Sequence, residues 1–391
     1  MNLVRESGLF VRLVRSGSKP LAFGLGAGML LFSIHMLWGD VKTGTPNPVK
    51  KKVLTLETAA RLLEDSLLFQ KGTLGTITGM VFSPPGSDSQ PALAVAGDYG
   101  AAYFSGKGVF LSAVKFERKG FRMVPVDLKG DRNHAFMNRG GDGQQVGLFD
   151  SEGRVAWRYG LGVDPAPNNM AAGDLDGDDR PEFAVGMNGE GGIRLLNQQG
   201  KEKWKQPDIN VWHMEILDVD GDGKNEIVHS NVSGQVRIRD GDGKLLREIP
   251  AKTFVAAFSV CRWPDANGGW ALLNNNQLEG IQLMDFAGNA LTKFFPPVKG
   301  RRVYGTPVRL SASEKPYFAL LVCDCVPRND TRLFLYDADG EIVFDKRLLT
   351  PRASLLTVPG DTPETEKLLV GESEGAVWQI RLKPVKSTQG N

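Results

Sequence analysis

The stretch Asp218-Val-Asp-Gly-Asp-Gly-Lys-Asn-Glu226 carries an acidic residue at positions 1, 3, 5 and 9 of a glycine-containing loop. Carboxylate oxygens at alternate positions, brought together by glycine turns, are the ligands that a hard cation such as Ca²⁺ prefers. Short β-prone segments, 214–217 and 227–228, flank the loop, and position 12 holds His229 instead of the bidentate glutamate of an EF-hand. The sequence therefore predicts a calcium loop between two strands, with the ligands Asp218, Asp220, Asp222 and Glu226.

A second copy of the pattern begins 44 residues earlier, with Asp174, Asp176, Asp178 and Glu182 in the same four places. The copy that begins at Asp174 has Asp179 where the other copy has Gly223. This position favours a left-handed backbone, which Asp tolerates better than most residues. A single Asp/Gly cluster is also typical of a polar hairpin turn. Two copies in register, each followed by an apolar strand, favour metal, so we predict two Ca²⁺ sites.

A glycine hairpin recurs six times along the chain and predicts a repeated unit. The final glycines of the hairpins are separated by 45, 47, 43, 45 and 52 residues, and they are Gly108, Gly153, Gly200, Gly243, Gly288 and Gly340. A period in the forties with about four strand-like segments per repeat is typical of β-propeller blades. Trp157 and Trp204 each follow a hairpin glycine by four residues, and we expect them to pack between neighbouring blades.

The last repeat, from residue 353 to 382, lacks a fourth strand. Closed propellers commonly complete such a repeat with a strand from the other end of the chain. Residues 52–56, residues 74–78 and the tail from residue 383 are the candidates, and the sequence does not choose among them. The predicted fold is all-β: a seven-bladed propeller over residues 76–391, preceded by an N-terminal transmembrane helix and a short amphipathic helix.

The N-terminal fifth of the chain, residues 1–75, has a different character. Residues 1–20 are basic, and residues 21–38 form an apolar run without acids or strong bases. We interpret this run as an uncleaved transmembrane signal anchor, with a cleaved signal peptide as the alternative. Gly24 and Gly28 form a GxxxG pattern that can pair two such helices into a homodimer, although glycine is common in membrane helices without this role. Residues 39–75 are predicted to form a linker and a helix with apolar positions Leu56, Ala60, Leu63 and Leu67.

The composition and the motifs of the chain limit the classes of function that we expect. The 391 residues include 47 basic and 45 acidic side chains, so no strong net charge argues for nucleic acid binding. The cysteines Cys261, Cys323 and Cys325 are too few for a disulfide framework, and Cys323 and Cys325 fit small buried side chains better than a redox or metal pair. No phosphate loop, CxxC, HExxH or local catalytic arrangement of histidines is present, so no enzymatic activity is expected.

The two loops, residues 173–186 and 217–230, resemble the FG-GAP/VCBS repeats of integrin-α-like β-propellers, and the hairpins also resemble those of quinoprotein-like propellers. The resemblance implies Ca²⁺ ligation by the eight acidic residues named above, completed by the backbone carbonyls of Arg180 and Lys224. Both loops end with Glu where that family commonly has Asp.

From these features we expect a membrane-anchored, calcium-binding propeller on the extracytoplasmic side, periplasmic or extracellular, that binds a protein or glycan partner. The alternatives are a propeller enzyme, either a quinone-dependent dehydrogenase or a polysaccharide lyase, and an envelope assembly scaffold.

Overall fold

The computed structural model describes residues 63–83, 92–105, 109–116, 123–127, 134–139, 145–150, 153–160, 165–249, 255, 258–263, 266, 269–276, 280–312 and 315–382. In these residues the protein is all-β, and its helical elements are limited to the 3-10 turns Gly72–Leu74 and Ser373–Gly375 and to Gly269, which is also in 3-10 conformation. Every strand belongs to an antiparallel four-stranded sheet.

Six sheets form blades of four strands that are consecutive in sequence. The first blade consists of β2 (Ile77–Ser83), β3 (Ala92–Gly97), β4 (Gly100–Ser105) and β5 (Phe110–Lys115). The second consists of β6 (Met123–Asp127), β7 (His134–Arg139), β8 (Val146–Phe149) and β9 (Val155–Tyr159). The third consists of β10 (Pro167–Gly173), β11 (Glu182–Met187), β12 (Ile193–Leu196) and β13 (Glu202–Gln206). The fourth consists of β14 (His213–Leu217), β15 (Glu226–Ser230), β16 (Val236–Arg239) and β17 (Leu245–Ile249). The fifth consists of β18 (Phe258–Arg262), β19 (Trp270–Asn276), β20 (Gly280–Asp285) and β21 (Ala290–Phe294). The sixth consists of β22 (Arg302–Val308), β23 (Tyr317–Cys325), β24 (Asp330–Tyr336) and β25 (Ile342–Leu348).

A composite sheet completes the ring. It contains β26 (Ser354–Pro359), β27 (Glu366–Gly371), β28 (Ala376–Leu382) and, on the outside, β1 (Leu63–Gln70) from the other end of the described chain. Its inner strand β26 contacts the inner strands β22 and β2 on either side. The N-terminal strand therefore closes the ring by pairing with the last strand of the chain.

The structure corrects the predicted architecture. A seven-bladed propeller preceded by a transmembrane helix and an amphipathic helix is wrong as stated: six blades are continuous in sequence, a composite sheet closes the ring, and the described residues contain no α-helix. The strand that completes the last repeat is Leu63–Gln70, which is none of the three predicted candidates and lies in the segment predicted to be helical.

The reason for this error is that the apolar pattern is ambiguous. Leu63 and Leu67 are four residues apart, which fits one face of a helix, but they also fit a strand in which alternate side chains share a face. The burial of β1 alternates from Glu64 to Leu68: Glu64, Ser66 and Leu68 are half-buried, and Asp65 and Leu67 are exposed. The open edge of β28 offers unpaired backbone groups along the strand, and Glu64 and Arg381 add an ion pair of 2.8 Å across it. Sheet pairing therefore outweighs the helical periodicity.

The hydrophobic core consists of layers between neighbouring blades. The middle strands are covered on both faces, and all six residues of β11 are buried. The predicted packing of the two tryptophans is confirmed: the Nε1 atoms of Trp157 and Trp204 donate to Gln198 and Gly241 of the next blade at 2.8 Å. Gly200 is required at this contact because it has a positive φ of 73° and a Cβ atom there would lie 2.6 Å from the Trp157 ring.

The predicted basic segment, the apolar segment 21–38, the Gly24/Gly28 pair and the predicted helix up to residue 62 lie outside the described residues. Within the described part of the chain, no helix has the length and apolar character needed to span a membrane.

Candidate metal loops and the central channel

Both predicted loops connect the inner strand of a blade to its second strand, between β10 and β11 and between β14 and β15. They lie side by side on one face of the ring. The Asn225 amide of the loop between β14 and β15 donates a hydrogen bond of 2.7 Å to the Asp174 carbonyl oxygen of the loop between β10 and β11. We call residues 174–182 the first loop and residues 218–226 the second loop.

The first aspartate of each loop organises the turn. The Asp174 carboxylate accepts hydrogen bonds from the N–H groups of Gly177 and Asp179 at 2.8 and 2.9 Å. Asp218 accepts the equivalent bonds from Gly221 and Gly223 at 2.6 and 3.0 Å. Asp179 adopts the predicted left-handed backbone, with a φ of 68°, and Gly223 has a φ of 88°. Two side-chain oxygens thus fix each loop before any ligand binds.

The glutamate that ends each loop is the buried member of the site. Glu182 and Glu226 are the first residues of the second strands, and they are only 3% and 5% exposed. Each points back into its own loop, where it accepts a hydrogen bond of 3.0 Å from the N–H group of Leu175 or Val219. The glutamate side chain is long enough to make this contact from the start of the strand, which explains Glu at position 9.

Three carboxylates converge in each loop. Side-chain oxygens of Asp174, Asp176 and Glu182 lie within 4.8 Å of one another, and so do those of Asp218, Asp220 and Glu226. The fourth acid of each loop, Asp178 or Asp222, lies outside this group and accepts the N–H group of Arg180 or Lys224 at 2.9 or 2.8 Å. Oxygen atoms at this spacing are what a divalent cation with several carboxylate ligands requires. Ligation by these residues, and by the carbonyl oxygens of Arg180 and Lys224, stays a prediction.

A lysine that the sequence did not indicate lies in the first loop. The Nζ atom of Lys203, on β13 of the same blade, is 2.7 Å from Asp176 Oδ2 and 3.2 Å from Glu182 Oε1. The hydrogen bond from Lys203 lowers the pKa of Asp176, and bonds to both acids raise the pKa of Lys203 despite the opposing effect of burial. The ammonium group therefore balances part of the charge that Ca²⁺ would balance.

Within the described residues, the second loop has no such cation. Lys203 follows its hairpin glycine by three residues, and Leu246 holds that place in the fourth blade. Among the described residues, no ion pair reaches Asp218, Asp220 or Glu226. Burial, together with the charges of the neighbouring aspartates, raises the pKa of Glu226 to about 7, although the Val219 N–H group acts in the opposite direction. The second loop is therefore an acidic cluster without internal compensation.

The two histidines that flank the second loop are inside the fold. His229 is fully buried, and its Nε2 atom accepts a hydrogen bond of 3.1 Å from Arg239 Nε. Burial is the largest cause of its low pKa, about 3, so the ring is neutral and its other nitrogen, Nδ1, carries the proton 3.7 Å from the buried Asp208. Asp208 also accepts two hydrogen bonds from Arg237, at 3.1 and 3.2 Å. This network connects the third and fourth blades, and it is structural.

A cavity of about 1800 Å³ lies along the inner strands, and this is the central channel. Its polar lining includes Asn168, His213, Glu215, Arg262, Arg302 and Tyr304. His213 Nε2 and Glu215 Oε1 are 2.8 Å apart. His213 and Glu215 are alternate residues of β14, and Arg302 and Tyr304 are alternate residues of β22. The channel as a whole combines residues of different blades, which sequence spacing could not have brought together.

The sequence matches no protein-family model and no curated protein. Solved structures nevertheless share the fold. The chain is similar to BBS1N, solved in complex with ARL6DN, with 14% identity, coverage of 83% of this chain and 98% of that chain, and a TM-score of 0.53. It is also similar to a catalytically inactive virginiamycin B lyase from Staphylococcus aureus solved with quinupristin, with 12% identity, coverage of 82% and 100%, and a TM-score of 0.53.

BamB from Moraxella catarrhalis is 15% identical, and the match covers 78% of this chain and 85% of the BamB chain. Its TM-score of 0.44 is too low to support a conclusion. The other two likenesses show that the chain is a β-propeller. At such low identity they do not show FG-GAP/VCBS membership or an activity.

Proposed function

We propose that this protein is a calcium-binding β-propeller that binds a protein or glycan partner and acts as a scaffold on the extracytoplasmic side of a membrane. The observation that carries the proposal is the second loop. There, three carboxylates converge, no described residue supplies a neutralising cation, and the buried Glu226 closes the site. Bringing like charges together at a buried position is costly unless a cation balances them.

The extracytoplasmic location is supported by two features of the chain. Residues 21–38 are apolar and follow a basic segment, which fits attachment to a membrane or export across it. Free Ca²⁺ outside the cytosol is high enough to fill weak sites. A non-enzymatic role is part of the proposal, and the partner is proposed to contact exposed surfaces of the ring, such as its loops.

The test is a calorimetric titration of Ca²⁺ into the EDTA-treated full-length protein in detergent, together with thermal melting in EDTA and in Ca²⁺. We expect a binding event at the second loop that Asp220→Ala abolishes, and a weaker event at the first loop that Asp176→Ala abolishes. Saturation at about 100 times the dissociation constant should stabilise the fold by about 2.7 kcal/mol, which raises the melting temperature.

Lys205→Ala is a matched control, because Lys205 is an exposed cation of β13 for which no contact with the loop acids is found. The control should leave both binding events unchanged. An absence of binding at millimolar Ca²⁺ would contradict the calcium proposal and leave the loops as polar turns.

The alternative function is that of a propeller enzyme, and the hydrogen-bonded His213–Glu215 pair in the channel is the observation that favours it. An acid–base pair in a large cavity fits a catalytic site. Visible absorbance of the purified protein would indicate a quinone-type cofactor and favour the enzyme over the scaffold.

A further inference from the structure

The outer strand of each blade leaves one row of backbone groups without a partner strand, and natural proteins protect such edges with charged side chains. Every outer strand except β5 has a charged residue before its last position, as in Lys203 of β13 and Arg247 of β17. In β5 the sequence is Phe-Leu-Ser-Ala-Val, with Lys115 as the final residue. As far as the described residues go, the edge of the first blade is therefore unprotected.

The apolar side chains at this edge are accessible. Val109, Phe110 and Leu111 are 60%, 46% and 58% exposed, and no residue of β5 is buried. Elsewhere, exposed leucines of an outer strand, Leu245 and Leu246, are followed directly by Arg247 and Glu248. An exposed apolar strand without such charges is a surface on which a partner gains burial.

The pairing register shows which backbone groups of β5 point outwards. Phe116 donates to the Tyr99 carbonyl oxygen at 2.8 Å, and Ala102 pairs with Ala113 in the same register. Hydrogen-bonded pairs alternate with non-hydrogen-bonded pairs in an antiparallel ladder. The N–H and C=O groups of Ala113 and the N–H group of Lys115 therefore face the open edge and can bind another strand, whereas the Lys115 carbonyl oxygen lies against Gly153 of the second blade.

A cation lies at each end of the apolar strand. The Lys71 ammonium group is 4.0 Å above the Phe110 ring at one end, and the exposed Lys115 ends the strand at the other. β5 itself contains no acidic residue. A segment with an apolar centre and acidic ends would be complementary to this strip in both hydrophobicity and charge.

We infer that β5 binds an extended segment of a partner protein by β-strand addition, and that this segment is apolar in the middle and acidic at its ends. Main-chain hydrogen bonds to Ala113 and Lys115 supply affinity, and contacts with Phe110 and Leu111 supply specificity. This interface deepens the proposed partner-binding function and rests on it, but it does not require Ca²⁺.

The test uses the full-length protein and a blocked heptapeptide of three valines alternating with two threonines, with an aspartate at each end. Hydrogen–deuterium exchange is followed over residues 110–116, with and without Ca²⁺, and sedimentation reports the oligomeric state. We expect exchange in this segment to slow about tenfold on peptide binding. Because the readout is independent of calcium binding, failure of either proposal can be recognised separately.

Ala113→Pro removes an outward N–H group, which an edge strand tolerates, and Leu111→Lys adds the missing protective charge. Both variants should weaken peptide binding at least about tenfold. Lys205→Pro, at the equivalent position of β13, is the matched control and should bind the peptide normally.

Three outcomes would overturn the inference. The first is unchanged exchange of residues 110–116 at millimolar peptide. The second is equal slowing on all outer strands. The third is protection of this segment before peptide is added, by a second copy of the chain or by residues 1–62.

Discussion

The first and second loops have the same spacing of acids and the same turn, yet they differ in charge balance. In the first loop, Lys203 donates to Asp176 and Glu182. In the second, Leu246 occupies the corresponding place, and burial among aspartates raises the pKa of Glu226 to about 7. The difference shows that the charge balance of an acidic loop depends on the neighbouring strand as well as on the loop's own residues, because an ammonium group can satisfy carboxylates that a metal ion would otherwise satisfy.

Exchanging the two side chains is the strongest test of this comparison. Lys203→Leu should raise the Ca²⁺ affinity of the first loop by about 10-fold to 30-fold, because the metal no longer displaces charged hydrogen bonds worth about 1.5–2 kcal/mol. Leu246→Lys should lower the affinity of the second loop by a similar factor. Calorimetric titration measures both effects, with Asp220→Ala or Asp176→Ala as the background that isolates one loop.

If neither exchange changes the affinity of its loop, Lys203 does not compete with the metal and the comparison fails. Lys205→Leu, which removes a neighbouring cation without a contact to the loop, separates the specific effect from a general change in charge.

The Ca²⁺ affinities of the two loops should also respond differently to pH, and this effect should be somewhat smaller than that of exchanging the side chains at 203 and 246. Glu226 must lose its proton to bind metal, and its pKa in the folded protein is about 7. The affinity of the second loop should therefore fall about tenfold between pH 8 and pH 6. Calorimetry at the two pH values measures this, and Glu226→Gln should remove the dependence while weakening binding.

The same carboxyl group predicts the stability of the metal-free protein. Because the pKa of Glu226 is raised, its ionised form destabilises the folded state. This free-energy cost is present in full above pH 7 and disappears below the usual pKa of 4.5. As far as Glu226 is concerned, the melting temperature in EDTA should rise as the pH falls from 8 to 6. A Ca²⁺ affinity that is equal at both pH values would contradict the assigned environment of Glu226.

The smallest expected effect concerns the link between the loops. Asn225→Ala removes the amide that bonds to the Asp174 carbonyl oxygen, so the fold should lose about 1 kcal/mol of stability. The Ca²⁺ affinity of each loop should change by less than about threefold, because neither set of carboxylates is touched. Thermal melting and calorimetry of the variant measure these quantities. A loss of affinity larger than tenfold in both loops would mean that the loops form a single coupled site.

Much of the repeat architecture could be predicted from local chemistry. Gly153, Gly200 and Gly243 have the positive φ angles that their hairpins require, and Trp157 and Trp204 pack against the following blade as expected. These features were predictable because turn residues and period-2 strands act over a few neighbours. Leu63–Gln70 was assigned wrongly because its apolar spacing fits two periods, and only the open edge of β28 selects the strand.

By itself, the sequence determined the repeated strand-and-hairpin unit and the geometry of both acidic loops, since backbone turns and Asp side chains are fixed by residues a few positions apart. Only the tertiary structure decided how the ring closes, that Lys203 enters the first loop while Leu246 holds the corresponding place beside the second, and that β5 has an exposed apolar edge. Those features depend on contacts between segments distant in sequence, and the energies of charge and burial depend on where the fold places each group.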